Sequence, residues 1–313
     1  MSALLFPGQG SQIVGMGLEF YKDFEIVKKI FKEADEKLSF SISKLILEGP
    51  ENELQLTKNT QPAILTVSYS IYKVLQNEFD FNFKPFKFFA GHSLGEYTAL
   101  ACSNALTFND ALHLLHERGK AMQEATPVGK GSMIAVLGLN ISEINKLLKT
   151  RINDEGICEI ANDNAVGQVI LSGNKEKIEI LQKDLKEKKI KSIPLKVSAP
   201  FHCSLMKPAA VKMEENINKT SFINPSVKII NNVTAKPEIN SNVIKKLLID
   251  QIFRTVKWRE SLIYMSESGV KNFIEIGPGK ALTGMVKRTI KNANCFSINS
   301  ITDIKNLINE FKK

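Results

Sequence analysis

The chain has 313 residues, of which 43% are hydrophobic and 24% charged, with a formal net charge of +9. That length is enough for one large core with an insertion or for two domains, and the composition excludes intrinsic disorder. No stretch reaches the ~20 apolar residues that span a bilayer, and the opening Met1-Ser2-Ala3-Leu4-Leu5-Phe6-Pro7 lacks the charged start and long apolar core of a secretory leader, so a cytoplasmic protein without a membrane partner is expected.

The positive charge would suit nucleic acid, an acidic protein or a phosphorylated substrate. Its lysines, however, are spread along amphipathic segments such as Lys175 to Lys191, without interleaved aromatics or a nucleic-acid motif. A solvated lysine-rich surface is therefore expected, with no nucleic-acid partner. Cys102, Cys158, Cys203 and Cys295 are widely scattered, which excludes a zinc site or a disulfide framework by spacing. Cys203 stands beside His202 and is weighed as a nucleophile, but a small buried thiol is the commoner role.

In chain order, Ala3 to Phe6 reads as a strand, followed by the glycine-rich loop Pro7-Gly8-Gln9-Gly10-Ser11-Gln12. Helices are predicted at Phe24 to Leu38 and, after Asn59-Thr60-Gln61-Pro62, at Ala63 to Asn77. Pro85 to Ala90 reads as a short buried strand, and Leu94 to Leu106 as a helix. Between them lies Gly91-His92-Ser93-Leu94-Gly95, a Gly-x-Ser-x-Gly pattern in a strand-turn-helix context that nominates Ser93 as a nucleophile exposed on a sharp turn. A further helix is predicted from Asn109 to Ala125. Alternation of strand and helix argues for a parallel sheet covered on both faces.

From Pro127 to Ser198 the pattern changes. Strand Ser132 to Leu139, helix Ser142 to Thr150, strands Ile157 to Ala161 and Gln168 to Ser172, helix Lys175 to Lys188 and strand Ile190 to Val197 give the order β-α-β-β-α-β, which is ferredoxin-like. The predicted organisation is a large α/β domain, 1–127 and 199–313, interrupted by a small domain at 128–198, with Ser93 and His202 on either side of the cleft between them. Later strands are predicted at Val227 to Ile230 and Phe273 to Ile276. The loop Gly277-Pro278-Gly279-Lys280 fails the Walker spacing and reads as a tight turn rather than a phosphate cradle.

A serine nucleophile needs a base, and the chain has four histidines. His92 adjoins Ser93, where neighbouring side chains diverge. His113 and His116 have an i, i+3 spacing but no third ligand nearby, so no metal site is expected and a solvated helix face is preferred. His202, on the return from the small domain, remains. Arg118 shares a helical stripe with Ala111, Leu115 and Met122, which turns its guanidinium toward the core. Its partner is either an internal carboxylate or a substrate carboxylate held bidentately, and spacing alone leaves both open. The amide of Leu94 is the natural first oxyanion donor and that of Gln9 a candidate second. No acid orienting His202 is identifiable from order or spacing.

Together, Phe6-Pro7-Gly8-Gln9-Gly10-Ser11-Gln12, Gly91-His92-Ser93-Leu94-Gly95-Glu96-Tyr97, His116-Glu117-Arg118-Gly119, Pro200-Phe201-His202, Asn232-Val233-Thr234-Ala235 and Glu275-Ile276-Gly277-Pro278-Gly279 resemble, in order and over nearly the whole chain, the malonyl-CoA:acyl carrier protein transacylases of fatty acid synthesis. The resemblance implies an α/β-hydrolase-like large domain with a ferredoxin-like insertion. It implies Ser93 as acyl acceptor, His202 as its base and acid, Arg118 as the clamp on a malonyl carboxylate, and Gln9 and Leu94 amides as the oxyanion hole. It further implies that a backbone carbonyl at Gln251 orients the histidine, and that Phe201 marks malonyl selectivity where many methylmalonyl-selective relatives carry Ser. Malonyl-CoA and acyl carrier protein are the implied partners of a monomeric enzyme with no cofactor beyond the coenzyme A and phosphopantetheine of its substrates. A serine esterase or thioesterase would share the elbow and the histidine but has no use for Arg118, and an idle carrier-binding module would need none of the three.

Overall fold

The computed structural model describes residues 1–149, 156–197 and 199–311. The strands are β1 (Ser2–Phe6), β2 (Phe86–Gly91), β3 (Gly131–Leu137), β4 (Cys158–Ala165), β5 (Gln168–Asn174), β6 (Ser192–Pro194), β7 (Lys228–Ile230), β8 (Pro237–Glu238), β9 (Asn272–Ile276) and β10 (Asn294–Ile298). They form a six-stranded sheet, β10-β9-β1-β2-β7-β8, parallel except for β8, and an antiparallel sheet, β4-β5-β3-β6.

In the large sheet β1 is buried along its whole length, the pattern of a parallel strand covered on both faces. Its alternate residues enter different cores. Leu4 and Phe6 pack with Phe89 beneath the helices Thr57–Asn77, Gly95–Cys102 and Phe108–Glu124. Ala3 and Leu5 pack with Phe88, Trp258, Leu262, Leu282 and Val286 on the opposite face. Because β1, β2, β7 and β9 run parallel, the loops that follow them open at one edge, where a site in such a sheet is expected.

The small sheet follows the order read from the sequence. Ile144 and Leu147 of the helix Ile141–Lys149 and Ile178, Leu181 and Leu185 of the helix Lys175–Glu187 cover Ile134, Val136, Val169 and Leu171. Its other face, with Met133, Ala135, Ala161 and Ile170, joins the main core. Thr150 and Ser198, at the ends of two predicted segments, lie outside the described residues.

Some boundaries differ from the sequence reading. The helix before β2 begins at Thr57, not Ala63, because Pro62 costs it nothing: the Lys58 carbonyl, which Pro62 cannot serve, accepts from His116 Nδ1 at 3.0 Å. His116 is therefore a half-buried structural donor that also packs on Phe40, and not part of a solvated face. The helix after Ser93 ends at Cys102 rather than Leu106. Strand β10, whose residues are mostly half-buried, carries no clear alternation and is absent from the sequence reading. Among the described residues no helix is long and apolar enough to cross a membrane, and no group of three or more His, Cys, Asp or Glu side chains could hold a metal ion.

Backbone packs closely on backbone at the turn after β2. A Cβ on Gly95 would sit 2.3 Å from the Phe6 carbonyl oxygen, whereas one on Gly284, at an exposed position of the helix Ala281–Thr289, would meet nothing within 4 Å. Gly95→Ala is expected to lose about 1–3 kcal/mol through overpacking. Gly284→Ala should gain about 0.5–1 kcal/mol from helix propensity. Urea unfolding of the two variants checks both, and equal shifts would contradict the close packing of β1 against the turn.

Candidate active site

The turn after β2 is built by two glycines and one strained serine. A Cβ on Gly91 would lie 1.9 Å from the Gly95 carbonyl, so only glycines let strand and helix fold this closely together. Ser93 itself has φ 53°, a left-handed conformation held from outside: its N–H donates to Asn232 Oδ1 at 2.7 Å, while Asn232 Nδ2 donates to the Gly91 carbonyl at 2.8 Å. Asn232 stands just beyond β7, the strand next to β2.

Ser93 Oγ lies 2.8 Å from His202 Nε2. The two residues meet at the base of one cavity rather than facing each other across it. His202 Nδ1 lies 2.7 Å from the main-chain oxygen of Gln251, at the end of the helix Ser241–Gln251. A carbonyl can only accept, so the proton is on Nδ1 and Nε2 presents its lone pair to the serine hydroxyl. Burial, then the charge of Arg118, pushes the His202 pKa down to about 3, which keeps the imidazole neutral.

Arg118 is 1% exposed. Nη1 donates to Gln61 Oε1 at 2.8 Å, and Nη2 donates to Gln251 Oε1 at 2.9 Å and to Ser93 Oγ at 3.1 Å. The guanidinium stacks at 5.7 Å over Tyr97, and its Nε has no partner among the described residues. No described carboxylate lies within 4.0 Å of it, so the internal ion pair allowed by the sequence is absent among the described residues. The helix Phe108–Glu124 that carries it is capped by Thr107, whose Oγ1 accepts from Asp110 N at 3.0 Å. It crosses the start of the Thr57–Asn77 helix so closely that a Cβ on Gly119 would lie 2.5 Å from Lys58 Cα. That crossing brings Arg118 and Gln61 together.

The amides of Gln9 and Leu94 border the same cavity, of about 390 Å³, and neither donates to an acceptor among the described residues. Gln9, Gln61, Ser93, Arg118 and Met122 line it from the large sheet's side, and Met133, Asn162 and Leu195 to Val197 from the small sheet's, with Phe201 and His202 between. Such a volume suits an acyl group entering on a narrow arm.

The other weighed residues lie elsewhere. His92 points away from Ser93, its Nε2 2.8 Å from Asn164 Oδ1 and its ring edge-on to Trp258. Cys203 is fully buried with its thiol directed at the Pro200 carbonyl, and burial pushes that thiol up. At the loop 277–280 the helix amides a phosphate would need are taken, since the buried Glu275 carboxylate accepts from Leu282 N at 3.1 Å and Thr283 N at 2.8 Å. Sequence reasoning missed Gln61, read only as part of a turn, and Glu96, fully buried behind the serine. Gln61 stands beside Thr57, Lys58, Asn59 and Thr60 at the polar start of its helix, so nothing local marked it out.

A model of the acyl transferase domain matches residues 3–310. The malonyl CoA-acyl carrier protein transacylase of Bacillus subtilis is 41% identical over 99% of this chain and 97% of its own. The crystal structure of the acyl-carrier-protein-S-malonyltransferase from Bartonella henselae superposes with a TM-score of 0.96 at 38% identity, covering 100% of this chain and 99% of that one. A malonyl-transacylase solved in complex with a type II polyketide synthase acyl carrier protein gives a TM-score of 0.94 at 37% identity, covering 99% of both chains. On a match spanning nearly all of its length, this chain is an acyltransferase and belongs to the acyl transferase domain family, alongside the malonyl CoA-acyl carrier protein transacylases.

Proposed function

We propose that this protein transfers the malonyl group of malonyl-CoA to the phosphopantetheine thiol of acyl carrier protein through a malonyl-Ser93 ester, supplying malonyl units for fatty acid elongation. The observation that carries the reading is Arg118: a buried guanidinium beside the nucleophile, with only neutral acceptors around it. A cation kept unpaired at such a cost matches a carboxylate brought by the substrate, which its planar fork binds bidentately. A neutral ester gives no reason for it.

In the first half-reaction the Ser93 hydroxyl gives its proton to His202 Nε2 as its oxygen attacks the thioester carbonyl. The Gln9 and Leu94 amides receive the negative charge that develops on the carbonyl oxygen. The Gln251 carbonyl, bonded to Nδ1–H, stabilises the imidazolium as an acid would in a Ser-His-Asp triad. Collapse of the tetrahedral species expels the coenzyme A sulfur, which takes the proton from His202. The second half-reaction runs the same steps in reverse with the carrier thiol as nucleophile.

The wider reading is a monomeric, cytoplasmic enzyme, with α/β-hydrolase-like large domain 1–127 and 199–313 and ferredoxin-like small domain 128–198. The groups named suffice without a metal or nucleotide cofactor. A net charge of +9 favours approach of an acidic carrier protein and of coenzyme A phosphates. Phe201, 6% exposed at the cavity wall, supports selection of a malonyl group without a branching methyl.

Intact-protein mass spectrometry after brief mixing with malonyl-CoA tests the reading. A malonyl adduct is expected on the wild type, absent in Ser93→Ala, and lost on addition of holo acyl carrier protein as the carrier gains it. Loss to water at the same rate without the carrier would make the protein a hydrolase. Arg118→Ala should lower kcat/KM for malonyl-CoA by about a hundredfold or more, the usual consequence of truncating one member of a buried charge pair. Acylation by acetyl-CoA should fall far less, and steady-state assays with both donors decide it.

His202 also makes a prediction about pH. An ordinary imidazole titrates near 6.5, but here the neutral form is favoured, so the folded protein declines the proton as pH falls through that value. With ¹⁵N-histidine labelling, the His202 resonances should keep the Nδ1–H neutral pattern from pH 7.5 to pH 5.5. An imidazolium appearing with a midpoint near 6.5 would mean that water reaches the ring in the working enzyme.

A further inference from the structure

Behind the nucleophile, on the first turn of its helix, lies a carboxylate that the reaction does not touch. Glu96 is fully buried, and no Lys, Arg or His nitrogen among the described residues lies within 4.0 Å of it. Its two oxygens face three donors: Oε1 accepts from Asn231 Nδ2 at 2.6 Å, and Oε2 from Asn232 N at 3.1 Å and Gln251 Nε2 at 2.8 Å. Three donors on its two oxygens favour the ionised form, so Glu96 and Arg118 are two buried groups of opposite charge type that stand near one another without touching. The amide of Gln251 bridges them, its Nε2 on Glu96 and its Oε1 accepting from Arg118 Nη2.

The polarity of that amide is determined. Its Nε2 faces only acceptors: Glu96 Oε2, the Ser93 carbonyl at 3.1 Å and Asn232 Oδ1 at 3.3 Å, the last already committed as acceptor to the Ser93 N–H. The oxygen must then face the guanidinium. We infer that Glu96 is a positioning residue for the malonyl clamp: through the Gln251 side-chain amide it orients Arg118, and it supplies at one remove the negative charge that lets this arginine stay buried without a carboxylate in contact. The inference rests on the reading of Arg118 as the malonyl clamp.

The physical logic follows from distance. A carboxylate touching Arg118 would occupy the fork that the substrate needs, and malonyl-CoA would have to displace it. With no anion at all, the lone cation would carry the full penalty of burial. A neutral amide between the two charges avoids both, because each charge polarises the hydrogen bond nearest it while Nε and one Nη1 hydrogen stay uncommitted among the described residues and the Nη2 bond to Ser93 can be exchanged for one to the substrate. Burial sets the direction of both shifts, and the influence of each group on the other is a smaller, opposing contribution. Burial raises the Glu96 pKa to about 7 while Arg118 opposes that rise, and burial lowers the Arg118 pKa while Tyr97 and Glu96 oppose that fall. A Gln in place of Glu96 offers one acceptor oxygen to three donors, and it frees the Gln251 amide to turn its NH2 toward the guanidinium.

The test compares Ser93 acylation by malonyl-CoA and by acetyl-CoA in the full-length wild type, Glu96→Gln, Arg118→Ala and the double variant. Glu96→Gln should lower the malonyl-over-acetyl ratio of kcat/KM by about ten- to a hundredfold, the worth of one charge-assisted hydrogen bond. In the Arg118→Ala background the same substitution should leave the ratio where it is, because the group it acts through is gone. Equal losses for both donors, or an additive effect on the ratio in the double variant, would overturn the inference and reduce Glu96 to a structural acceptor for the Asn231–Asn232 turn. If Glu96→Gln fails to fold by circular dichroism, Gln251→Met is measured instead. It removes the bridging amide but keeps the main-chain carbonyl that serves His202, and an unchanged ratio in that variant would also overturn the inference. A wild type that forms no malonyl-Ser93 ester would overturn the transferase reading and this one with it, and that result is read before any variant is compared.

Discussion

Arg118 carries its charge into a space that water scarcely reaches, 3.1 Å from the hydroxyl of Ser93. A buried cation lowers the affinity of any neighbour for a proton, and burial with this charge keeps His202 neutral. A neutral imidazole is the form that can accept the serine proton, so on the proposed reading the group that holds the substrate also keeps the base in its working state, with the consequences that follow from it. Malonyl binding then changes the balance. A carboxylate seated on the guanidinium offsets its charge, and the imidazolium formed during attack on the thioester meets less repulsion than it would in the free enzyme.

Holding this arrangement takes strained backbone at both reacting residues. Ser93 has φ 53° and His202 φ 57°, a region that residues other than glycine enter with difficulty. Each is held by its surroundings. Ser93 is fixed by Asn232 on the adjacent strand's loop and by glycines that bring helix and strand into van der Waals contact. His202 follows Pro200, whose ring fills the space a Cβ on Gly131 would need, so the return from the small sheet enters the large one on a single path. The parallel topology does the rest, since β1, β2 and β7 are neighbours and their C-terminal loops deliver Gln9, Ser93 and Asn232 to one point.

What the sequence made legible divides along the same physical line. The small sheet's order and the Ser93 turn were readable because both rest on local signals, apolar periodicity and glycine at fixed offsets. Arg118 was placed on the correct face of its helix by a 3.6-residue wheel, yet whether a carboxylate met it depended on a partner distant in sequence. Gln251, 133 residues away, and Gln61, 57 away, answer that question and leave no local trace. The start of the Thr57–Asn77 helix was misjudged for a similar reason: Pro62 breaks a helix unless something else satisfies the carbonyl it abandons, and here His116 does so from another helix. The acid sought for His202 could not be found by spacing because the orienting group is a main-chain oxygen, which every residue possesses.

Gln251 therefore does two jobs with different atoms, and its position in the chain ties them to the cleft. Its carbonyl fixes the tautomer of His202, and its side chain fixes Arg118. A few residues on, Val256 N donates to the Ala161 carbonyl at 2.8 Å, its own carbonyl accepts from Asp163 N at 3.0 Å, and Arg259 clasps the buried Asp163 carboxylate with Nε and Nη2. The short segment 251–259 thus carries the orienting atoms of the site at one end and the docking of strand β4 at the other. Any movement of the small sheet that widened the cleft by several ångströms would have to break those backbone bonds or drag the Gln251 carbonyl away from His202.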